Sequence, residues 1–177
     1  MKKKLLLHVC CAPCSTHPIT LLKQSYDVTL LFYNPNIHPN EEYNKRLNEA
    51  IKFSKIVEMP LVELKEDEKL WFEKVKKHEH EKEGGDRCSI CFKHRLDKTA
   101  EIAKTKGFDL FTTTLTVSPY KNSKRINLIG KDLQEKFSVD FLESDFKKGD
   151  GYNKSIELSK EHDLYRQHYC GCVYSKR

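Results

Sequence analysis

The sequence has no apolar run long enough to span a membrane. Its leucine-rich start is interrupted at His8, before it reaches the length of a signal-peptide core, and no cleavage site follows. We therefore expect a cytoplasmic protein with no membrane partner. In that reducing compartment, clustered cysteines serve metal or redox chemistry more often than structural disulfides.

Glycine-rich phosphate-binding loops are also missing. The chain has only seven glycines, and none of them forms a P-loop or a Rossmann dinucleotide motif. The predicted first strand is not followed by a Ser-Gly-Gly loop, which argues against an ATP pyrophosphatase. Internal repeats and low-complexity linkers are absent as well, so we expect residues 1–177 to form a single domain.

The charge of the chain is moderately basic. Lysine and arginine number 32 against 26 acidic residues, which gives a net charge of +6. The excess lies in the first and last thirds of the sequence and favours a polyanionic partner such as RNA. An ordinary solvated surface explains the same charge.

Predicted strands alternate with predicted helices along the whole sequence. Runs of apolar and β-branched residues indicate strands over residues 5–9, 28–33, 60–64, 110–117 and 139–142. Apolar residues at helical spacing indicate helices near residues 19–22, 40–51, 66–83, 88–106 and 126–137, and from about 153 towards 169. This alternation predicts an α/β fold, with a parallel sheet flanked by helices on both faces.

Reactive and polar residues follow three of the predicted strands. Sites in such folds form at the carboxyl ends of the strands. The residues at these ends are Cys10, Cys11 and Cys14 after the first strand, Tyr33 and Asn34 after the second, and Ser118 and Tyr120 after the fourth. The pattern therefore predicts one site at this edge of the sheet.

The seven cysteines form three tight groups, two of which could share a metal. Cys88 and Cys91 form a CxxC motif at a helix start, where both thiols lie on one face and the helix dipole favours thiolates. Together with Cys10 and Cys11 they supply four thiolates, enough for a [4Fe–4S] cluster or a zinc ion. Adjacent cysteines do not make a zinc knuckle, which favours the cluster over zinc. Packing as small apolar residues is the alternative role for these cysteines.

The third group, Cys170-Gly171-Cys172, has thiols one residue apart. A disulfide between them would close a small, strained ring, and strained, accessible disulfides are the labile and catalytic ones. The spacing predicts a redox pair; the alternative is a flexible tail with incidental cysteines. Cys14 is left over, and it could face the cluster, bind a second metal or simply pack.

Four segments together resemble the QueH family, the cobalamin-independent epoxyqueuosine reductases. They are His8-Val9-Cys10-Cys11-Ala12-Pro13-Cys14, Arg87-Cys88-Ser89-Ile90-Cys91-Phe92, Ser118-Pro119-Tyr120-Lys121 and Leu164-Tyr165-Arg166-Gln167-His168-Tyr169-Cys170-Gly171-Cys172. The resemblance implies a Rossmann-like domain of the HUP or PP-loop type. It also implies the last step of queuosine synthesis, in which the epoxide of epoxyqueuosine at the wobble position of tRNA is reduced to queuosine.

The resemblance assigns roles to individual residues. It implies a [4Fe–4S] cluster on Cys10, Cys11, Cys88 and Cys91, an additional mononuclear iron at Cys14, and a redox-active pair at Cys170 and Cys172. It thus implies a catalytic domain over 1–177 with a redox-active segment around 165–177, served by an external electron donor. The residues expected to bind the tRNA substrate are Tyr33, Asn34, Ser118, Tyr120, Lys121, Lys124, Arg125, Lys147 and Lys148; ordinary solvation is the alternative for the basic ones.

Two other functions stay open from the sequence. One is a cluster-dependent tRNA sulfur transferase, which would depend on ATP. The other is a non-catalytic, zinc-stabilised RNA-binding module, which would be colourless and would not need the Cys170–Cys172 pair.

Overall fold

Five parallel strands form the centre of the molecule. The computed structural model describes residues 1–66 and 68–176. The strands lie in the order β3-β2-β1-β4-β5, and every neighbouring pair is parallel. Their bounds are β1 Lys3–His8, β2 Tyr26–Phe32, β3 Leu61–Glu63, β4 Leu110–Thr113 and β5 Asp140–Phe141. The predicted parallel α/β architecture is confirmed.

Six α-helices surround the sheet within the described part of the chain. Their bounds are α1 Ala12–Leu22, α2 Asn40–Ile56, α3 Glu68–Val75, α4 Asp86–Thr105, α5 Ser123–Phe137 and α6 Gly151–Glu161. Short 3₁₀ helices cover Thr114–Val117 and Val173–Ser175. Among the residues described, no helix combines the length and the apolar composition needed to cross a bilayer.

Side chains of each strand alternate between two hydrophobic cores, as the pleat of a strand requires. In β1, Leu5 and Leu7 face the core formed with α1 and α2, whereas Leu6 faces the core formed with α4 and α5. Both cores are needed because a parallel sheet is buried on both faces. Helix α6 packs on α1, where the Thr16 hydroxyl donates a hydrogen bond to the Ser155 carbonyl at 3.3 Å.

The predicted strand over residues 110–117 is too long. β4 ends at Thr113, whose hydroxyl accepts a hydrogen bond from the backbone N–H of Leu115 at 3.2 Å and caps the following 3₁₀ helix. The β-branched composition of Thr112–Thr116 favours a strand, but a threonine hydroxyl can also turn the backbone. After the turn, Ser118 lines the same cavity as Cys10, which follows β1.

The predicted helix over residues 66–83 is also too long. Helix α3 ends at Val75, and Lys77 has a left-handed φ of 79°. The loop that follows is held instead by Arg87, whose Nη1 donates to the carbonyls of His78 at 3.1 Å, Glu79 at 3.0 Å and Glu81 at 2.5 Å. A long-range arginine contact of this kind is invisible in the local charge pattern.

The last predicted helix ends earlier than its pattern indicates. α6 stops at Glu161, and Asp163 adopts a positive φ of 47°. Residues 164–172 then continue without helix towards Cys170 and Cys172. This irregular path lets the cysteines approach the edge of the sheet.

The strand order creates a crevice at the carboxyl ends of β1 and β4. From β1 the chain proceeds to β2 and β3 on one side, and it later returns to β4 and β5 on the other. Connections from the two central strands thus leave in opposite directions, and ligands bind at such a switch point. Cys10 follows β1 here, and Ser118 follows β4 and its 3₁₀ helix.

Gly130 tests how tightly the sheet and α5 pack. A Cβ at this position would lie 2.3 Å from Cε1 of Phe141, a ring that also packs on Phe111 at 5.1 Å between centroids. We expect Gly130→Ala to lower the free energy of unfolding by about 1–3 kcal/mol through overpacking, although alanine normally favours a helix. Urea denaturation followed by circular dichroism measures the change.

The control is Leu128→Ala on the same helix, because Leu128 is 63% exposed. Its effect should stay within about 0.5 kcal/mol. A Gly130→Ala protein as stable as the parent would show that the Phe141 ring is free to move.

Candidate metal and redox site

Three thiols gather where β1 gives way to α1. The sulfurs of Cys10, Cys11 and Cys14 all lie within 4.8 Å of one another, and those of Cys10 and Cys11 are 3.8 Å apart. Cys11 is extended, with φ −167° and ψ 158°, and immediately precedes α1, whose first turn contains Pro13. The strand-to-helix turn therefore brings Cys14 back beside the adjacent pair.

The three thiols share one site of negative charge. The pKa of Cys10 is held well below its usual value, chiefly by thiol contacts with Cys11 and Cys14 and also by the positive charges of Arg95 and Lys121. Contacts with Cys10 and Cys11 raise the pKa of Cys14, and burial raises that of Cys11 to about 12. A thiolate on Cys10 is the form that binds a metal.

Cys88 and Cys91 lie apart from this group, in the first two turns of α4. Cys88 is half-buried and Cys91 is buried, and burial raises the pKa of both thiols. They line a small cavity together with Cys170 and Cys172. The predicted position of the CxxC motif at a helix start is confirmed, and its thiols face the C-terminal pair.

Cys170 lies between the two thiol groups. It lines a cavity of about 240 Å³ with Cys10 and Cys14, and it also lines the smaller cavity that contains Cys88 and Cys91. Cys172 instead packs in an apolar cluster with Trp71, Val75 and Cys91. Burial there raises the pKa of Cys172 to about 11. All seven cysteines are free thiols in this structure.

Lys121 faces the thiols. Burial opposes its charged form, but the thiols of Cys170, Cys10 and Cys14 raise its pKa above the usual value. Ser118 and Tyr120 line the same cavity. Three of the residues expected to contact substrate thus come together beside the cysteines.

The other expected contact residues differ in their surroundings. Arg125 donates hydrogen bonds to the Gly84 carbonyl at 3.0 Å and to the Ser89 hydroxyl at 2.8 Å, and so ties α5 to the start of α4. Lys147 pairs with Asp145 at 2.9 Å, whereas Lys124 and Lys148 are exposed.

Tyr33 and Asn34 lie behind the cavity rather than in its lining. Tyr33 is fully buried, and its hydroxyl contacts Glu66 and lies 3.0 Å from Nε2 of His94. The Asn34 side chain accepts a hydrogen bond from Nη2 of Arg95 at 2.7 Å and donates one to the Val9 carbonyl at 3.0 Å. Asn34 therefore orients a cation that lines the cavity.

Two residues of the site, Gln167 and Arg46, are not among the residues predicted from the cysteine motifs. The amide of Gln167 donates a hydrogen bond to Sγ of Cys11 at 2.9 Å and lies 3.8 Å from Sγ of Cys14. Arg46 donates to the carbonyls of Tyr169 and Cys170. A signal for Arg46 exists, because it falls three residues after Tyr43 and four before Ala50, on the buried face of α2.

The donor set fits a metal group bound by thiolates. Sulfur ligands come from two helix starts, and the cations Arg95 and Lys121 lie close enough to balance their negative charge. Nε of Arg95 is buried without a hydrogen-bond partner in the described structure, so it is free to interact with such a group. A buried charged nitrogen without a partner is otherwise costly.

Solved structures with the same fold include two tRNA-related proteins. One is the predicted subunit of tRNA methyltransferase from Methanocaldococcus jannaschii, with a TM-score of 0.57 and 16% identity, covering 89% of this chain and 76% of that one. Another is the U34-tRNA thiolase NcsA from Methanococcus maripaludis with its [4Fe-4S] cluster, with a TM-score of 0.60 and 13% identity, covering 99% and 62%. At these identities the likeness concerns the fold alone.

Sequence relatives are much closer. The family model described as "Epoxyqueuosine reductase QueH" matches residues 5–177. Proteins of that name include one from Streptococcus pyogenes serotype M1, 44% identical over 185 residues that cover 100% of this chain and 72% of the relative. One from Thermotoga maritima is 41% identical over 174 residues that cover 96% and 88%. The chain therefore belongs to the epoxyqueuosine reductase QueH family.

Proposed function

We propose that this protein reduces the epoxide of epoxyqueuosine, at the wobble position of tRNA, to the cyclopentene of queuosine. The observation that carries the proposal is the convergence of three cysteine groups on one pair of cavities in a member of this family. We also propose that this activity takes place in the cytoplasm.

The proposed reaction removes one oxygen atom. Both carbon–oxygen bonds of the epoxide break, two electrons and two protons enter, and water and an alkene leave. A [4Fe–4S] cluster bound by Cys10, Cys11, Cys88 and Cys91 would pass these two electrons on one at a time. Conversion of the Cys170 and Cys172 thiols to a disulfide supplies two electrons and two protons, and an external donor restores the thiols.

Cys14 completes the proposed set of metal ligands. Its sulfur belongs to the three-thiol group, yet the four cluster ligands are already accounted for. We assign Cys14 to an additional mononuclear iron. Gln167 approaches the same sulfur and would hold it in place.

Lys121 supports the departing oxygen in this proposal. Its ammonium group faces Cys170 and Cys10 and keeps its proton, because the neighbouring thiols raise its pKa. A charged donor aimed at developing negative charge stabilises a transition state. The group can donate a hydrogen bond to the oxygen as the epoxide opens.

The rim of the larger cavity offers contacts for an unstacked nucleotide. A cavity of about 240 Å³ has room for a modified base but not for a duplex, so the wobble base must leave its stack. Tyr120 is 73% exposed at this rim, and the exposed Lys124 follows it in the chain. The exposed Lys148 is next to Lys147, whose Nζ donates to the Lys121 carbonyl at 3.3 Å. Aromatic stacking together with phosphate contacts suits single-stranded RNA. We propose these residues, with Lys147, as tRNA contacts.

Metal analysis tests the cluster first. Protein purified without oxygen should contain about four irons with matching sulfide and a brown chromophore. Serine at Cys10 or Cys91 should lower the iron and sulfide content, whereas serine at Cys170 should not. A colourless protein with one zinc and no sulfide would favour the zinc-stabilised module instead.

Loss of the proposed redox pair should stop the reaction without loss of the metal. Cys170→Ser should abolish multiple turnover of epoxyqueuosine tRNA with a chemical reductant, because a hydroxyl cannot form the disulfide. Liquid chromatography of tRNA nucleosides measures queuosine, and iron content serves as the internal control. Sustained turnover by this variant would eliminate the dithiol role, and a requirement for ATP in the parent would favour the sulfur transferase.

Tyr120 tests the tRNA contact. Tyr120→Ala should raise the Kd for tRNA about 5- to 150-fold, because stacking contributes about 1–3 kcal/mol per base. Tyr120→Phe keeps the ring and should bind as the parent does. Filter binding at one fixed salt concentration gives both values. Equal affinity of the alanine variant would remove Tyr120 from the interface.

A further inference from the structure

Residues 163–171 are attached to helix α2 largely by polar contacts. At the start of this segment, Lys52 Nζ donates to the Asp163 carbonyl at 2.7 Å, and Glu49 accepts from the Tyr165 backbone N–H at 2.8 Å. Glu42 accepts from the Tyr165 hydroxyl at 3.2 Å. Successive turns of α2 thus present one charged side chain after another to this segment.

Arg46 makes the contacts nearest the thiol pair. Its Nη1 donates to the Cys170 carbonyl at 2.9 Å, and its Nη2 donates to the Tyr169 carbonyl at 3.0 Å. Its Nε donates to Oε1 of Glu42 at 2.7 Å, one helical turn away. The side chain is only 2% exposed. A planar guanidinium contacts the two successive carbonyls with donors in a rigid fork, a geometry that a lysine ammonium does not have.

Gly171 is closely packed against both Arg46 and the loop before α2. Its φ is 117°, and a Cβ there would lie 3.0 Å from Nη1 of Arg46 and 3.0 Å from Cγ1 of Ile37. Its carbonyl accepts a hydrogen bond from the His38 backbone N–H at 2.8 Å. The Tyr169 hydroxyl donates to the His38 carbonyl. The backbone of 169–171 therefore runs in a narrow slot between Arg46 and the loop before α2.

The two thiols share the small cavity that contains Cys88 and Cys91, but their other surroundings differ. Cys170 lines the large cavity, whereas Cys172 packs with Trp71 and Cys91. Both are free thiols. Formation of a disulfide brings the sulfurs to about 2.05 Å and closes a small, strained ring, so the backbone of residues 170–172 must adjust. The contacts of Arg46 are thus contacts of the dithiol state.

We propose that Arg46, oriented by Glu42, is a positioning residue that stabilises the dithiol state of Cys170 and Cys172 and so sets the reduction potential of the pair. The inference rests on the redox role given to this pair in the proposed function. Loss of the two carbonyl contacts removes stabilisation from the dithiol more than from the disulfide. The disulfide then forms more readily, and the potential becomes more negative.

The test is a redox titration of the metal-loaded protein under anaerobic conditions. Buffers of reduced and oxidised dithiothreitol or glutathione exchange two electrons and two protons with the pair. Acid quenching, alkylation and trypsin digestion give the peptide from Gln167 to Lys176, which contains Cys170 and Cys172 and no other cysteine. Mass spectrometry therefore reads this pair separately from the metal ligands.

Arg46→Gln should shift the equilibrium constant between dithiol and disulfide about tenfold towards the disulfide. For a two-electron couple, this lowers the reduction potential by about 30 mV. Arg46→Lys should stay shifted, because it keeps the charge without the planar fork. Recovery of the parent potential by Arg46→Lys would overturn the inference in favour of charge alone. Glu42→Gln should shift the potential in the same direction by less, and circular dichroism checks that each variant is folded.

Lys52→Gln is the matched control. Lys52 also lies on α2 and donates to a backbone carbonyl of the same segment. Its acceptor is Asp163, seven residues before Cys170. It should leave the potential unchanged. An equal shift in this control would show that the loss of any contact between α2 and residues 163–171 changes the reduction potential. That result would overturn the specific role of Arg46.

The outcomes separate this inference from the proposed function. If the parent protein forms no disulfide at any buffer ratio, the redox role of the pair fails. If the parent forms it and Arg46→Gln has the same potential, only the positioning role fails. Should Arg46→Gln not fold, an unchanged potential in folded Glu42→Gln would overturn the inference.

Discussion

Negative charge on buried sulfur is the constraint on which this site depends. An isolated buried charge is too costly to keep, so it must be paired or must bind a metal. The chain supplies cations from three different elements: Arg46 from α2, Arg95 from α4 and Lys121 from the loop before α5. Arg46 stays charged against its burial because Cys11 and Glu42 lie close to it. Each cation is itself positioned, Arg95 by Asn34 and Arg46 by Glu42.

The strand order explains how such distant residues meet. Because β1 and β4 are neighbours whose connections diverge, a crevice forms where both strands end. The turn after β1 fills one side of the crevice with thiols, and the 3₁₀ helix after β4 directs the chain towards Lys121 on the other. Helix α4 begins at the same level and adds Cys88 and Cys91. The order of the strands therefore brings cysteine groups that are distant in the sequence to one edge of the sheet.

Much of this organisation could be predicted from local sequence. The parallel sheet, the thiols after β1 and the CxxC motif at the start of α4 follow from apolar runs, strand ends and motif spacing. Local pattern fails where a distant partner decides the conformation. Arg87 replaces the second half of a predicted helix with a hydrogen-bonded loop, and the Thr113 hydroxyl ends a strand that its neighbours would continue. The contact between Arg46 and Tyr169 spans 123 positions, so no window of sequence contains it.

The hydrogen bond from Gln167 to Cys11 has a consequence for how the site is assembled. Gln167 contacts the thiols of Cys11 and Cys14 and lines the same cavity as Cys10 and Cys170. Ribosomes add Gln167 after every cysteine of the first two groups has already emerged. The two cysteine groups are therefore complete before the residue that contacts Cys11 has been made. The contact between Gln167 and Cys11 can form only when nearly the whole chain has been synthesised.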